Sequence, residues 1–327
     1  MANILVTGGA GYIGSHACKA LKAAGHVPVT YDNLSTGWAD AVKFGPFERG
    51  DLNDRARLDE VFEKYGPEAV MHFGALSDVG QSMREPALYW HNNATGSLTL
   101  INAMLAHGCK RMVFSSTCAT YGEQDGVTLD ESATQSPINS YGASKLAIEQ
   151  MLANFGESDD LKSVIFRYFN VAGADHEAEI GEHHRPETHI VPLVLDAASG
   201  RRDALTLFGT DYETPDGTCI RDYVHVSDLI DAHIAGLDWL KAGKGNRVFN
   251  LGTGKGFSVR EVIDAGSKVT GLDVPVIESD RRPGDCTRLV SGSTRAKAEL
   301  GWSPKRSTIE VMIEDAWRWH QIGAYNA

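Results

Sequence analysis

The sequence predicts an α/β chain: a doubly wound parallel sheet followed by a smaller α/β unit towards the C-terminus. Three observations predict it. Short apolar runs alternate with longer helical periodicities through the first half; a glycine triplet stands between the first run and the first helix; and the regularity breaks after about Ala172. Repeated strand–helix–strand units imply right-handed crossovers, which make the strands parallel and put helices on both faces.

Each element has its own signal. "NILVT" (3–7) reads as a buried strand, followed by a helix from about Ile13 to Ala24 that Gly25 stops. "VPVTYD" (27–32) is the second strand, and Leu58, Val61, Phe62 and Tyr65 mark a helix by their i, i+3, i+4, i+7 spacing. "AVMHF" (69–73) is a further strand, and Pro86 to His107 a long helix. "RMVFSST" (111–117), a helix from near Tyr141 and "SVIFRYF" (163–169) continue the alternation. The stretches 179–189 and 209–218 are polar and turn-rich, so the chain divides into 1–172 and 173–327. "RVFNLGTG" (247–254) is strand-like again, which predicts a return to the first sheet around 220–260.

Bulk properties narrow the function. At 327 residues, with 42% hydrophobic and 23% charged residues, the chain can bury a large core without staples. A net charge of −12 disfavours nucleic acid and anionic membrane surfaces as partners. Cys18, Cys109, Cys118, Cys219 and Cys286 are scattered, odd in number and never spaced as CxxC, which fits thiols in a reducing compartment. With no apolar leader and no run near the ~20 apolar residues of a membrane span, a cytoplasmic, soluble protein is expected.

"VTGGAGYIG" sets Gly8, Gly11 and Gly14 between a strand and a helix. Glycine there lets the backbone turn sharply and approach a pyrophosphate, while the helix start favours the anion. Strand before and helix after give the triplet its meaning, that of a Rossmann-like dinucleotide cradle. Asp32, ending the second strand, supplies an acid for an adenosine ribose; its charge would repel an extra phosphate, favouring NAD. The same residue could equally cap the turn "DNLSTG", and both roles are compatible.

Tyr141 is the one tyrosine among 10 with a lysine, Lys145, four residues on. That spacing puts both on one helix face ~6 Å apart along the axis. Alone it fits either a catalytic couple or two amphipathic neighbours. A phenol of pKa ~10 is a poor base, and a nearby ammonium would lower that value. Ser115, Ser116 and Thr117 end a strand, the edge that borders the ligand crevice in a parallel sheet, so one of these hydroxyls could relay a proton.

TGGAGYIG, YDNLSTG, the GD at 50–51, HFGALSDVG, SSTCATYG, YGASK, RYFNVAGA, DGTCIRDYVHV and RRPGD occur in the order seen in UDP-glucose (UDP-galactose) 4-epimerases. The chain resembles these extended short-chain dehydrogenase/reductase proteins from about Ile4 to Trp319. The glycine motif and YxxxK mark only the superfamily; the stretches at 165–174 and 215–226 are more specific to sugar-nucleotide epimerases. The resemblance implies that 1–172 binds NAD and 173–327 a UDP-sugar, in a homodimer.

It also implies residue roles. Tyr141 would be the catalytic base, Lys145 would orient the nicotinamide ribose, and Thr117 would bond the sugar hydroxyl. Gly8, Gly11, Tyr12, Ile13, Gly14, Asp32, Asn33, Asp51, Leu52, Phe73, Asn92, Ser115 and Phe169 match positions lining the NAD site. Asn170, Phe208, Arg221, Arg282 and Asp285 match contacts to UDP. Two departures stand out. Ser77 replaces a lysine that touches a cofactor phosphate in some members, and Leu289 stands where some carry a tyrosine beside the sugar, which would admit N-acetylated sugars.

The expected reaction is reversible inversion at C4 through a 4-keto sugar, with no net use of NAD. UDP-N-acetylhexosamines and UDP-pentoses are alternative substrates. A dehydratase or decarboxylase would need an acidic pair after Thr117, where Cys118, Ala119 and Thr120 stand; a non-catalytic NAD-binding protein would have no reason to keep Tyr141 and Lys145. His183, His184 and His189 invite a metal, but their stretch matches a loop near the nucleotide and the chemistry needs none, so no metal is expected. "LGTGKG" (251–256) reads as a strand–helix turn rather than a second phosphate loop, and Trp317 and Trp319 as packing residues of a terminal helix.

Overall fold

The computed structural model describes residues 1–124, 128–282, 285–322 and 325. Its first half runs β1 (Asn3–Thr7), α1 (Tyr12–Ala23), β2 (Val27–Asp32), β3 (Phe47–Arg49), α2 (Arg55–Tyr65), β4 (Ala69–His72) and α3 (Val79–Arg84). There follow α4 (Pro86–Tyr89), α5 (Gly96–Ala106), β5 (Arg111–Ser115), β6 (Thr128–Leu129), α6 (Ser140–Ser158), β7 (Lys162–Tyr168) and β8 (Asn170–Ala172). The second half adds α7 (Ile190–Ala198), β9 (Leu205–Phe208), β10 (Ile220–His225), α8 (Val226–Lys241), β11 (Arg247–Leu251) and β12 (Gly256–Ser258). It closes with α9 (Val259–Thr270), β13 (Val276–Ser279), β14 (Arg288–Ser291) and α10 (Ile309–Ile322).

Seven strands form one sheet in the order β11-β7-β5-β4-β1-β2-β3, every pair parallel. A parallel strand is apolar on both sides because helices cover both faces. In β1, Ile4 and Val6 join the core under α1 and α8, while Leu5 joins the core under α2, α5 and α6. Strands β5 and β7 divide alike: Val113, Val164 and Phe166 go to one side, Met112, Phe114 and Ile165 to the other. At one edge of this sheet β11 pairs with β7 from Arg247↔Val164 to Leu251↔Tyr168.

A second sheet carries β12-β10-β14-β6, with β8 also on β10, and β13 pairs with β9. Helices α7, α9 and α10 pack a third core around Val194, Leu195, Val262, Met312 and Ile313. Local signals agree with these boundaries: Asn139 caps α6 through Gly142 N–H at 2.8 Å, and Ser258 with Glu261 forms a capping box on α9.

The long helix expected over 86–107 is interrupted. Between α4 and α5 a π segment, Trp90–Thr95, adds a residue to the turn and carries the wholly buried Asn93. The short α3, capped by Asp78 on Gln81 N–H, had no periodicity to announce it. Among the described residues no helix is long and apolar enough to cross a membrane.

Candidate active site

The glycine motif folds as a tight cradle. Gly8 has φ +70°, and a Cβ there would lie 2.6 Å from Gly74 N; one at Gly14 would lie 2.1 Å from Gly8 O. Gly11 is the N-cap of α1 and brings no side chain to the first-turn amides. A loop that excludes side chains and points bare helix-start N–H groups at one spot fits a dinucleotide pyrophosphate.

Asp32 is buried, and burial pushes its carboxyl up despite bonds from Leu34 N–H (2.8 Å) and Ala10 N–H (3.0 Å). It therefore caps its turn and ties β2 to the cradle, leaving one lone pair on each oxygen for a ribose. Asn33 donates to Asp51 Oδ2 at 2.8 Å. Burial pushes the Asp51 carboxyl up, but bonds from Asn53 and Asn33 outweigh it and hold the group low. Leu52 lies against Gly74, Ile13 on the core, and Phe73 packs on the His233 ring at 5.0 Å. Tyr12 donates to Gly173 O at 2.6 Å, linking α1 to the loop after β8. Asn92 donates to Asn93 Oδ1 at 2.8 Å.

Tyr141 and Lys145 lie on the first turns of α6, against the end of β5. Lys145 is buried; its Nζ donates to Ser115 O at 2.8 Å and sits 4.8 Å from the Phe114 ring centre. The Ser115 hydroxyl pairs with the Tyr168 hydroxyl. Burial pushes the Tyr141 phenol up to about 12, opposed by its hydrogen bond with Thr117. Thr117 also accepts from Ala119 N–H at 3.1 Å, which orients it. The expected lowering of Tyr141 by the ammonium does not appear: enclosure raises the phenol, its bond with Thr117 is what opposes the rise, and burial lowers Lys145 itself to about 7.

This shift has a consequence for stability. The unfolded lysine keeps its proton to about 10.5, the folded one only to about 7. The unfolded state binds more protons between those values, so stability rises with pH across that window, by at most about 1.4 kcal/mol per pH unit. Urea midpoints of the nucleotide-free protein should show this rise, and Lys145→Met should flatten it. An equal rise in the variant would assign the slope to another group.

A pocket of about 180 Å³ gathers Asn170, Phe208, Arg221, Arg282 and Asp285, the five residues matched to UDP. Arg221 donates to Cys286 O at 2.8 Å and lies 3.6 Å from Asp285; Arg282 donates to Asp285 at 3.2 Å and stacks 5.0 Å from the Phe208 ring centre. Asn170 donates to Asp222 O at 3.3 Å. Leu289 does not line this pocket; it is the cross-strand partner of Arg221 on β14. Of the RRPGD motif, Pro283 and Gly284 lie outside the described residues. Phe169 packs beside Cys118, Tyr121 and Leu129.

Several supporting residues gave no clear signal in the sequence. Asn93 accepts from Leu76 N–H at 2.9 Å and donates to Leu76 O at 3.0 Å and Ser144 Oγ at 3.1 Å, bracing α6 against the loop after β4. Glu149, one turn beyond Lys145, receives Arg167 Nε at 3.0 and 3.1 Å and Ser116 Oγ at 2.5 Å. His72, pushed down to about 3 by burial, bridges Thr7 (2.6 Å) and Ser97 (2.8 Å) as a neutral ring. A strand-end His between two hydroxyl positions was visible as residues, but its pairing was not. "LGTGKG" is accounted for by Asp222, whose carboxylate accepts from Thr253 N–H (3.0 Å), Gly254 N–H (3.2 Å) and Ser291 N–H (3.2 Å), filling the place an anion would take.

Comparison with known proteins agrees with this geometry. Residues 4–252 match the model of the NAD dependent epimerase/dehydratase family. The UDP-glucose 4-epimerase of Rhizobium meliloti (strain 1021) is 52% identical over 318 residues, 97% of each chain. The crystal structure of UDP-glucose 4-epimerase from Brucella ovis in complex with NAD superposes with TM-score 0.95 at 46% identity, covering 97% of this chain and 98% of that one. The UDP-Glc/GlcNAc 4-epimerase of Campylobacter jejuni is 39% identical with TM-score 0.86, covering 99% of this chain and 100% of that one. With the family model matching residues 4–252 and these relatives aligned over nearly the whole length, the chain belongs to the NAD dependent epimerase/dehydratase family.

Proposed function

We propose that this chain is an NAD-dependent UDP-glucose 4-epimerase, an isomerase that interconverts UDP-glucose and UDP-galactose. The observation that carries the reading is one of position. Tyr141, Thr117 and Lys145 meet at the end of β5, with the glycine cradle along the same sheet edge and a two-arginine pocket following β7. Gly8, Gly11 and Gly14 would hold the pyrophosphate of NAD, with Asp32 on its adenosine ribose. The chemistry NAD supplies when bound is reversible hydride acceptance at sugar C4.

The chain's own residues do the rest. Tyr141 takes the proton of the sugar 4-hydroxyl through or beside Thr117, and returns it once the keto sugar has turned over. The turn requires unequal grip: Arg221 and Arg282 clamp the diphosphate while the sugar stays loosely held. Lys145 anchors the nicotinamide ribose and favours phenolate when charged. A lyase reading lacks its acid pair, since Cys118 after Thr117 is wholly buried and Glu123 comes only after the turn.

Separate incubation with UDP-galactose, UDP-N-acetylgalactosamine and UDP-xylose, with products resolved chromatographically, tests this. The expected result is UDP-glucose from UDP-galactose without added oxidant. No product from any of the three would sink it. The resemblance at Leu289, although that residue does not line the 180 Å³ pocket, implies turnover of the N-acetyl sugar as well, and the absence of that product would remove this extension alone.

The same reading places the enzyme in a reducing cytoplasm, as buried Cys18, Cys109, Cys118 and Cys219 form no disulfide with one another. It also makes it a homodimer: Val79, Met83, Leu88 and Trp90 expose apolar surface along α3, α4 and the π segment.

A further inference from the structure

The loop leading into α7 brings two histidines and two glutamates to one point. Glu182, His184, Glu187 and His189 each present a nitrogen or oxygen within 4.8 Å of the others. His189 Nδ1 lies 2.9 Å from Glu182 Oε1 and 3.1 Å from Glu187 Oε1. His184 Nδ1 lies 3.3 Å from Glu182 Oε1 and 3.6 Å from Glu187 Oε2. The two carboxylates are largely buried, with side chains 6% and 13% exposed.

These separations suit a tetrahedron. Bonds of about 2.0–2.2 Å to nitrogen and oxygen set ligand atoms about 3.3–3.6 Å apart around one ion. Glu182 Oε1 lies 2.9 Å from His189 Nδ1 and 3.3 Å from His184 Nδ1, close to that spacing, while Glu187 turns Oε1 to His189 at 3.1 Å and Oε2 to His184 at 3.6 Å and would give one of the two to the ion. A ring Nδ1–H serves one acceptor at a time, yet each Nδ1 faces two carboxylates: His189 Nδ1 bonds Glu187 Oε1 at 3.1 Å with Glu182 Oε1 at 2.9 Å, and His184 Nδ1 lies 3.3 and 3.6 Å from its two.

The surroundings also fit. Glu187 Oε1 accepts from the N–H groups of Thr188 (2.8 Å) and His189 (2.9 Å), which fixes the carboxylate in the way that ligating carboxylates are held from outside. A cavity of about 270 Å³ reaches Glu182, His184 and Glu187, giving an ion a way in. The acidic trio Asp175, Glu177 and Glu179 contrasts with this, because Lys19 Nζ already occupies it at 2.9, 2.7 and 2.7 Å.

We propose that Glu182, His184, Glu187 and His189 form a structural site for a divalent transition metal, with Zn²⁺ best matched to the two-nitrogen, two-oxygen donor set and the spacing. Two carboxylates and two neutral imidazoles neutralise the ion. Four protein ligands close the tetrahedron, so the ion fastens the loop and takes no part in the reaction. What it fastens is a junction: Glu182 O accepts from Trp319 of α10 at 2.9 Å, His183 O accepts from Trp38 at 2.8 Å, and His189 lines the pocket that holds Arg221. The histidines of this loop thus acquire a ligand role that their sequence context did not assign.

The test is metal binding by the purified enzyme with its nucleotide in place. After dialysis against a chelator, Zn²⁺ titrated in competition with a chromophoric chelator should bind at one equivalent. Co²⁺ in its place should give the intense visible bands of a tetrahedral complex. His184→Gln/His189→Gln should lower Zn²⁺ affinity by at least about 100-fold with circular dichroism and bound nucleotide unchanged. Absence of stoichiometric Zn²⁺ binding, a weak octahedral Co²⁺ spectrum, or equal affinity in the double variant would each overturn the proposal. If that variant does not fold, Glu187→Gln replaces it, and the Co²⁺ spectrum of the unaltered chain decides regardless.

Discussion

Tyr141→Phe is expected to lower kcat by about 10²–10⁴-fold, the usual contribution of a positioned proton-transfer group, while leaving the fold and the bound nucleotide in place. Removing the hydroxyl deletes the acid–base group that bonds Thr117, and phenylalanine keeps the ring in the same enclosure. KM should change little, because the grip on substrate is assigned to Arg221 and Arg282 in the pocket around Asn170 and Phe208. Steady-state kinetics with UDP-galactose, together with the absorbance of co-purified nucleotide, separates these effects. A variant with wild-type kcat would refute Tyr141 as the base. Thr117→Val should give a smaller loss in the same direction, because it removes a relay and not the base.

Glu149→Leu should cost about 3–5 kcal/mol of stability. Glu149 and Arg167 are 6% and 5% exposed, and the guanidinium meets the carboxylate through both Nε and a terminal nitrogen. Leucine would strand the arginine's charge inside the protein and leave Ser116 and Gln135 without an acceptor. The double variant Glu149→Leu/Arg167→Leu should recover much of the loss, since a buried pair exchanged for apolar residues is often nearly neutral. Urea unfolding of both variants measures this. A single variant within about 0.5 kcal/mol of the parent would show that the pair does not hold α6 to β7. Because Lys145 is one turn before Glu149 on α6, activity should fall along with stability.

Most of the larger sheet was legible. Apolar runs at 3–7, 27–32 and 69–73 appear within a residue of their strands, because a strand covered on both faces must be apolar throughout. The glycines were legible for an equally local reason: φ +70° at Gly8 and the approach of Gly14 to Gly8 O admit no side chain. The helix over 86–107 was only half legible, as a π segment differs from an α-helix by one residue of register and leaves no compositional mark. Asn93, Glu149 and Arg167 carry no local mark of their burial, which depends on partners such as Leu76, 17 residues from Asn93, and on the Glu149–Arg167 pair, 18 residues apart.

By itself, then, the sequence determined the features that neighbours along the chain dictate: strand and helix periods, the cradle, and the four-residue spacing that sets Tyr141 above Lys145. Only the tertiary structure decided the features that depend on which distant groups enclose a side chain. It put Lys145 Nζ on Ser115 O and the Tyr141 phenol beside Thr117, placed Asp222 where "LGTGKG" could have held an anion, and converged Glu182 and His189 on one point. The physical reason is that dihedral preference and hydrophobic period act over a few residues, whereas desolvation and charge act through space, between groups whose separation in sequence carries no signal.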